Sequence, residues 1–229
     1  MRKANLKRLI FGCLAALALT CPARAEIKVV AIYPVQQETL VWCWAAVSEM
    51  VLSHYRIPNY GSDESYQCNI VKSMGGKCLL GCDKCVVGIR TMYHLSTVIR
   101  NFQKNSLDNA VQKTRKKFRV IPKKQRLSPM RIIAEIDGNN PIIAAISPSG
   151  MGYLYPDGMG EHLAVIVGYD TSGAQFTILV NDPAPFADLG YDPYLAVGGT
   201  LTIPGQYWID YDTFVRTMVY KDSIVFERM

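Results

Sequence analysis

The chain has 229 residues, 49% of them hydrophobic, and a formal charge of +6. That is enough for one good core or two small lobes, and there is no internal repeat and no low-complexity tract. Arg2, Lys3, Lys7, Arg8 and Arg24 lie in the first 25 residues with no acid; without them 20 bases face 19 acids, a net charge of about +1. The global field that would steer a polyanion is then absent, and no nucleic-acid partner is expected.

Those first residues read as a secretory signal peptide: MRKANLKR is a basic head, LIFGCLAALAL an apolar middle, and Ala23-Arg24-Ala25 a small-residue cleavage pattern. The apolar middle is shorter than the ~20 residues of a membrane span. Leu19 and Thr20 before Cys21 do not suit lipidation. Cleavage near Ala25 leaves residues 26–229 as one soluble domain, secreted or periplasmic, with no membrane span.

From 36 to 55 the chain reads QQETLVWCWAAVSEMVLSHY. Ala46, Val47, Met50 and Val51 recur at three- and four-residue spacing, which predicts a helix over 43–55, ended by Ile57-Pro58. Cys43 falls in its first turn. Cys13 and Cys21 leave with the leader, so Cys43, Cys68, Cys78, Cys82 and Cys85 remain. In an oxidising compartment the four between 68 and 85 pair as two disulfides, with three connectivities open, and Cys43 is left over. Zinc held by four thiolates is the alternative for the cluster.

Residues 88–103 and 106–117 read as further helices. Between Lys104 and Arg131 ten Lys or Arg face the single Asp108. This predicts a solvated basic face, with a docking strip for an anionic partner as the alternative. After Pro141 the pattern changes to strands: 142–147, 162–170 and 175–182, the last two a hairpin about Thr171-Ser172-Gly173, then 199–203, 206–209 and 223–228. A short helix is expected around 211–218. Helices first and strands second give an α+β protein: a mainly helical lobe over 26–140 and a β lobe over 141–229.

A thiol reacts as the thiolate, which an imidazole partner and a helix N-terminus both favour. His54 lies eleven residues along the same helix, about 16 Å from Cys43, and cannot reach it. His94 sits in an apolar helical pattern and reads as a packed or surface residue. His162 opens the most apolar strand, and the partner strand ends in Asn181-Asp182-Pro183. Hairpin register returns that end close to His162, where Asp182 or Asn181 could orient the imidazole.

These blocks, QETLVWCWAAVSEM, GEHLAVIVGYD and VNDP, resemble those of papain-like cysteine peptidases in the same chain order. The likeness is greatest to the compact bacterial branch that includes secreted effector proteases of plant pathogens. The resemblance implies a two-lobed papain-like fold with Cys43 as nucleophile, His162 as base, Asp182 as third member (Asn181 the alternative) and Gln37 in the oxyanion hole. It implies a protein or peptide substrate, a thioester resolved by water or an amine, and neither cofactor nor metal. Family members often carry an aromatic after Asp-Pro that covers the histidine pair; here Ala184 follows, which leaves that cover to another residue such as Trp208.

Three competing readings remain. One is a papain-fold binding module without catalysis that uses the Cys-rich loop for recognition. Another is a peptidoglycan peptide amidase, although those place the nucleophile in Asp-Cys-Ser-Gly rather than Trp-Cys-Trp-Ala. The last is a Cys43 that is merely a buried small apolar residue.

Overall fold

The structure is a computed structural model that describes residues 25–61, 64–109, 118–147 and 162–229. The leader, the Arg-Lys-Lys run at 115–117 and the Gly-rich turn before His162 lie outside them.

In chain order the elements are β1 (Ile27–Val29), α1 (Cys43–His54), α2 (Tyr66–Lys72), two 3-10 turns (Gly76–Leu80 and Cys82–Lys84), α3 (Met92–Asn109), β2 (Phe118–Lys123), α4 (Pro129–Asp137), β3 (Ile142–Ile146), β4 (His162–Asp170) and β5 (Thr177–Asn181). The short helices α5 (Phe186–Leu189) and α6 (Pro193–Ala196) follow, then β6 (Thr200–Ile203), β7 (Gln206–Asp210), α7 (Tyr211–Thr217) and β8 (Asp222–Arg228). All pairings are antiparallel in one sheet, in the order β2-β8-β3-β4-β5-β7-β6, with β1 added to β4. The class is α+β, consistent with a papain-like fold. No helix of the described residues is long and apolar enough to cross a membrane.

α1 packs against β4 on one side and against α2 and α3 on others. Nine of its twelve residues are therefore buried, more than the single stripe its spacing predicts. It ends in a Schellman motif: Arg56 N–H bonds the Ser53 carbonyl, Ile57 N–H bonds that of Leu52, and Arg56 takes φ 57°. Pro58 then bars continuation.

Several elements depart from the expected pattern. One continuous helix, α3, runs through residues 104 and 105, where two were expected. β2 was not anticipated: its Lys and Arg content masked the alternation that buries Phe118 and Val120. It pairs with β8 at the sheet edge, where Pro122 can be accommodated. β1 and β2 both come from the 26–140 segment, so the sheet draws on both expected lobes. α4 also went unread, although Ser128-Pro129 before it and Gly138 after it are ordinary start and stop signals.

β4 and β5 carry the site. Their register shifts between Ile166 and Gly168, and the Val167 carbonyl is turned to accept the Val30 N–H at 2.7 Å. β1 then runs so close that a Cβ on Gly168 would lie 2.8 Å from the Lys28 carbonyl oxygen.

Candidate active site

Strand alternation decides which residue at the end of β5 meets His162. Successive side chains point to opposite faces, so Asn181 and Asp182 cannot both turn towards it. Asp182 does: its Oδ1 lies 2.7 Å from His162 Nε2. The Asn181 amide is used elsewhere, donating to the Ile32 carbonyl at 2.9 Å and accepting from Gln206 Nε2 at 2.8 Å.

The buried carboxylate of Asp182 is fully partnered, as a group removed from water must be. Oδ1 also accepts the Ala184 N–H at 2.9 Å, and Oδ2 accepts the Tyr194 hydroxyl at 2.9 Å. Tyr194 stacks on Tyr207 at 4.3 Å between ring centroids, and the Tyr207 hydroxyl donates to Asp192 Oδ2. The Asp182 backbone is fixed as well: its N–H bonds the Gly205 carbonyl at 2.8 Å, in the turn between β6 and β7. Gly205 has φ 78°, and a Cβ there would stand 2.9 Å from the Asp182 carbonyl oxygen.

The Cys43 side chain also acts on His162, favouring its charged form. With Nε2 given to Asp182, Nδ1 is the nitrogen left for sulfur. Burial alone would drive the imidazole neutral, but the Asp182 charge, its hydrogen bond and the Cys43 side chain outweigh it and raise the pKa to about 10. The pairing with Asp182 thus favours the protonated imidazole.

Cys43 is the one cysteine outside a disulfide among the described residues. It is the first residue of α1, whose N-terminus has no side-chain cap; the Trp42 carbonyl takes the N–H groups of Ala45 and Ala46, while those of Cys43 and Trp44 precede any carbonyl the helix can offer them. Gln37 reaches the site through its backbone N–H, which donates to the Pro183 carbonyl at 2.9 Å. Its Nε2 donates to the Thr39 carbonyl at 2.9 Å, while its Oε1 and the Thr39 hydroxyl are buried with no hydrogen-bond partner among the described residues. All four residues are nearly enclosed: Gln37 and Cys43 are 6% exposed, His162 and Asp182 2%.

The Cys-rich segment is tied to the residues on either side of Cys43. Cys68 pairs with Cys82 and Cys78 with Cys85, so all four sulfurs of the cluster are spent in disulfides. The two tryptophans beside Cys43 hold this segment: Trp42 Nε1–H donates to the Cys85 carbonyl at 3.2 Å and Trp44 Nε1–H to that of Val87 at 2.9 Å. Trp44 is thus more than a core aromatic. The ring beside the histidine is Phe186, 6.5 Å from His162 between centroids and edge-on. The cover expected of Trp208 is supplied two residues beyond Ala184.

The other two histidines stand apart. His54 Nε2 meets the Asn139 carbonyl at 3.0 Å in the last turn of α1, and burial lowers its pKa. His94 lies on the exposed face of α3. In the basic stretch Lys104, Arg119 and Arg131 are paired with Asp108, Glu227 and Glu135.

Sequence reasoning missed Tyr194, Phe186 and the indole bonds. Tyr194 lies twelve residues beyond Asp182 in a separate short helix, and no periodicity connects the two. His162 and Asp182 form a buried hydrogen-bonded pair, and Cys43 is a buried cysteine outside the disulfides. Residues 29–197 match the Peptidase_C39 like family, and the chain belongs to it. A comparison with curated proteins gives no match. The family supports a cysteine peptidase of papain-like type that acts on protein or peptide substrates.

Proposed function

We propose that this protein is a secreted cysteine endopeptidase whose single catalytic domain spans residues 26–229 after removal of a leader near Ala25. Cys43 attacks the scissile carbonyl, forming a C–S bond. His162 passes a proton to the leaving amine as the C–N bond breaks, and then takes one from the water that hydrolyses the thioester. Asp182 holds the imidazole in the required orientation, and Gln37 with the Cys43 N–H receives the oxyanion. Release by an amine in place of water would make the same site a transferase.

The observation that carries this reading is the buried His162–Asp182 pair, whose imidazole the Cys43 side chain also biases towards the charged form. An amide has two N–H donors, and Thr39 occupies one of those on Gln37. A cavity of about 670 Å³ adjoins the site, lined by Gln36, Asp182, Pro183, Phe186, Leu201 and Tyr207 among others. Neither Cys43 nor His162 lines it, so it would take part of the substrate away from the bond that is cut.

The two disulfides suit an exported protein. The likeness to effector proteases of plant pathogens belongs to this proposal, as does an anionic partner on the basic stretch, although three of its charges are already paired. The test is a proteome-derived peptide library digested with the oxidised protein and read by mass spectrometry. Defined new termini with wild type, absent with Cys43→Ala, are expected. No new termini at any protein concentration would overturn the reading.

A further inference from the structure

Residues 36–38 lie in neither helix nor strand, so the polar backbone groups on either side of Gln37 need partners from outside the segment. One buried side chain supplies both. Gln67, 1% exposed in the first turn of α2, donates from Nε2 to the Gln36 carbonyl at 2.9 Å and accepts the Glu38 N–H at Oε1 at 3.0 Å. A primary amide that takes the C=O of one residue and the N–H of the second residue after it imitates a neighbouring strand. It fixes the backbone conformation of the residue between them, which is Gln37.

The clamp is itself anchored. Ser65 caps α2 by accepting the Cys68 N–H and donates to Glu38 Oε2 at 2.8 Å. The residue after Gln67 is Cys68, tied to Cys82. On the other side, Pro183 takes the Gln37 N–H at 2.9 Å. The loop is thus held between α2 and the residue that follows Asp182.

We propose that Gln67 is a positioning residue for the oxyanion hole, acting through the backbone of residues 36–38 to hold the Gln37 amide where the developing negative charge appears. This rests on the reading of Gln37 as an oxyanion donor. Gln67 would not touch substrate, and its loss would impair only steps that form a tetrahedral oxyanion.

Two small reagents separate those steps on the intact, oxidised protein. Iodoacetamide alkylates Cys43 as sulfur displaces iodide, with no oxyanion. With p-nitrophenyl acetate, sulfur bonds to the acetyl carbon, the carbonyl electron pair moves onto oxygen, and its return expels p-nitrophenolate and leaves S-acetyl-Cys43. The ratio of acylation to alkylation rate reports the oxyanion hole and cancels changes in thiol reactivity. Gln67→Met keeps the size of the side chain and removes both bonds. It is expected to lower the ratio roughly tenfold, with alkylation and its pH profile within about twofold of wild type, while Gln37→Ala lowers the ratio further, by up to about a hundredfold. Combined with Gln37→Ala, Gln67→Met should add nothing, because its only route to the oxyanion is gone.

An unchanged ratio in Gln67→Met, an additive effect in the double variant, or a parallel fall of both rates would each overturn the proposal. A wild-type thiol that reacts with both reagents no faster than glutathione would overturn the peptidase reading as well. That outcome is told apart because it shows before any substitution is made.

Discussion

The two halves of the site are built by different means. His162 and Asp182 stand at adjoining ends of β4 and β5 in the middle of an eight-stranded sheet, placed by a ladder whose strands are almost wholly buried. Cys43 and Gln37 stand on a helix end and an irregular loop, placed by side-chain-to-backbone bonds from Trp42, Trp44 and Gln67 and by two disulfides. The contrast suggests that the acid-base half is as robust as the core, whereas the thiol half depends on a few separable contacts.

The largest effect should come from the robust half, because its chemistry is concentrated in one hydrogen bond. Asp182→Asn leaves the sheet intact but removes the charge that holds the imidazole protonated, and kcat is expected to fall by about 10²–10⁴. The same variant should move the alkaline limit of the kcat/KM profile down from the region of pH 10, since the Asp182 charge is the main cause that raises His162. The linkage to stability has a definite sign. The folded value lies above the ordinary 6.5, so the stabilising contribution is complete below that pH and is lost as pH rises through about 10. Urea unfolding between pH 6 and 10.5 should show that loss in wild type and less of it in His162→Ala.

Next in size is the anchor of the thiol half. Trp44→Ala empties a fully buried site and orphans the Val87 carbonyl, for an expected loss of about 3–5 kcal/mol in chemical denaturation. Should Trp44→Phe, which keeps most of the ring and loses the N–H, cost as much, packing would not be the main term.

Reducing both disulfides sharpens the comparison further. About 2–4 kcal/mol per bridge is the ordinary scale. The contrast predicts uneven damage: hydrogen exchange should rise at α2 and residues 76–87 and around Cys43, while β3, β4 and β5 keep their protection. Equal loss across the sheet would erase the distinction between the halves.

The smallest predicted effect is that of Tyr194→Phe. It removes one of the three hydrogen bonds on the Asp182 carboxylate, which is worth about 1–3 kcal/mol for a charged acceptor, and the sheet keeps the carboxylate in place. A loss in kcat of roughly tenfold or less, with KM unchanged, is expected.

How much of this was legible in the sequence follows the same division. The hairpin of β4 and β5 could be read because strand periodicity and the turn at 171–173 are local signals, and they were enough to bring Asp182 near His162. The choice between Asn181 and Asp182 needed the strand phase, which a register shift between Ile166 and Gly168 conceals. The helix start at Cys43 was legible from its apolar spacing and its end from Ile57-Pro58. What fixes that helix start was not. Trp42 and Trp44 reach residues 43 positions away, Gln67 reaches across 29 and 31, and the disulfide partners were three-fold ambiguous. Such contacts are set by tertiary packing and leave no periodic trace. β2 shows the opposite error, a real alternation hidden by lysines and arginines that an edge strand can present to solvent.

The most direct test of the central claim, that Cys43 is a thiol activated by His162, is intact-mass labelling of the oxidised protein by the epoxide E-64. The account predicts one adduct on wild type, none on Cys43→Ala, and labelling at least about tenfold slower on His162→Ala. No adduct on the folded wild type, or labelling at the same rate with and without His162, would contradict it.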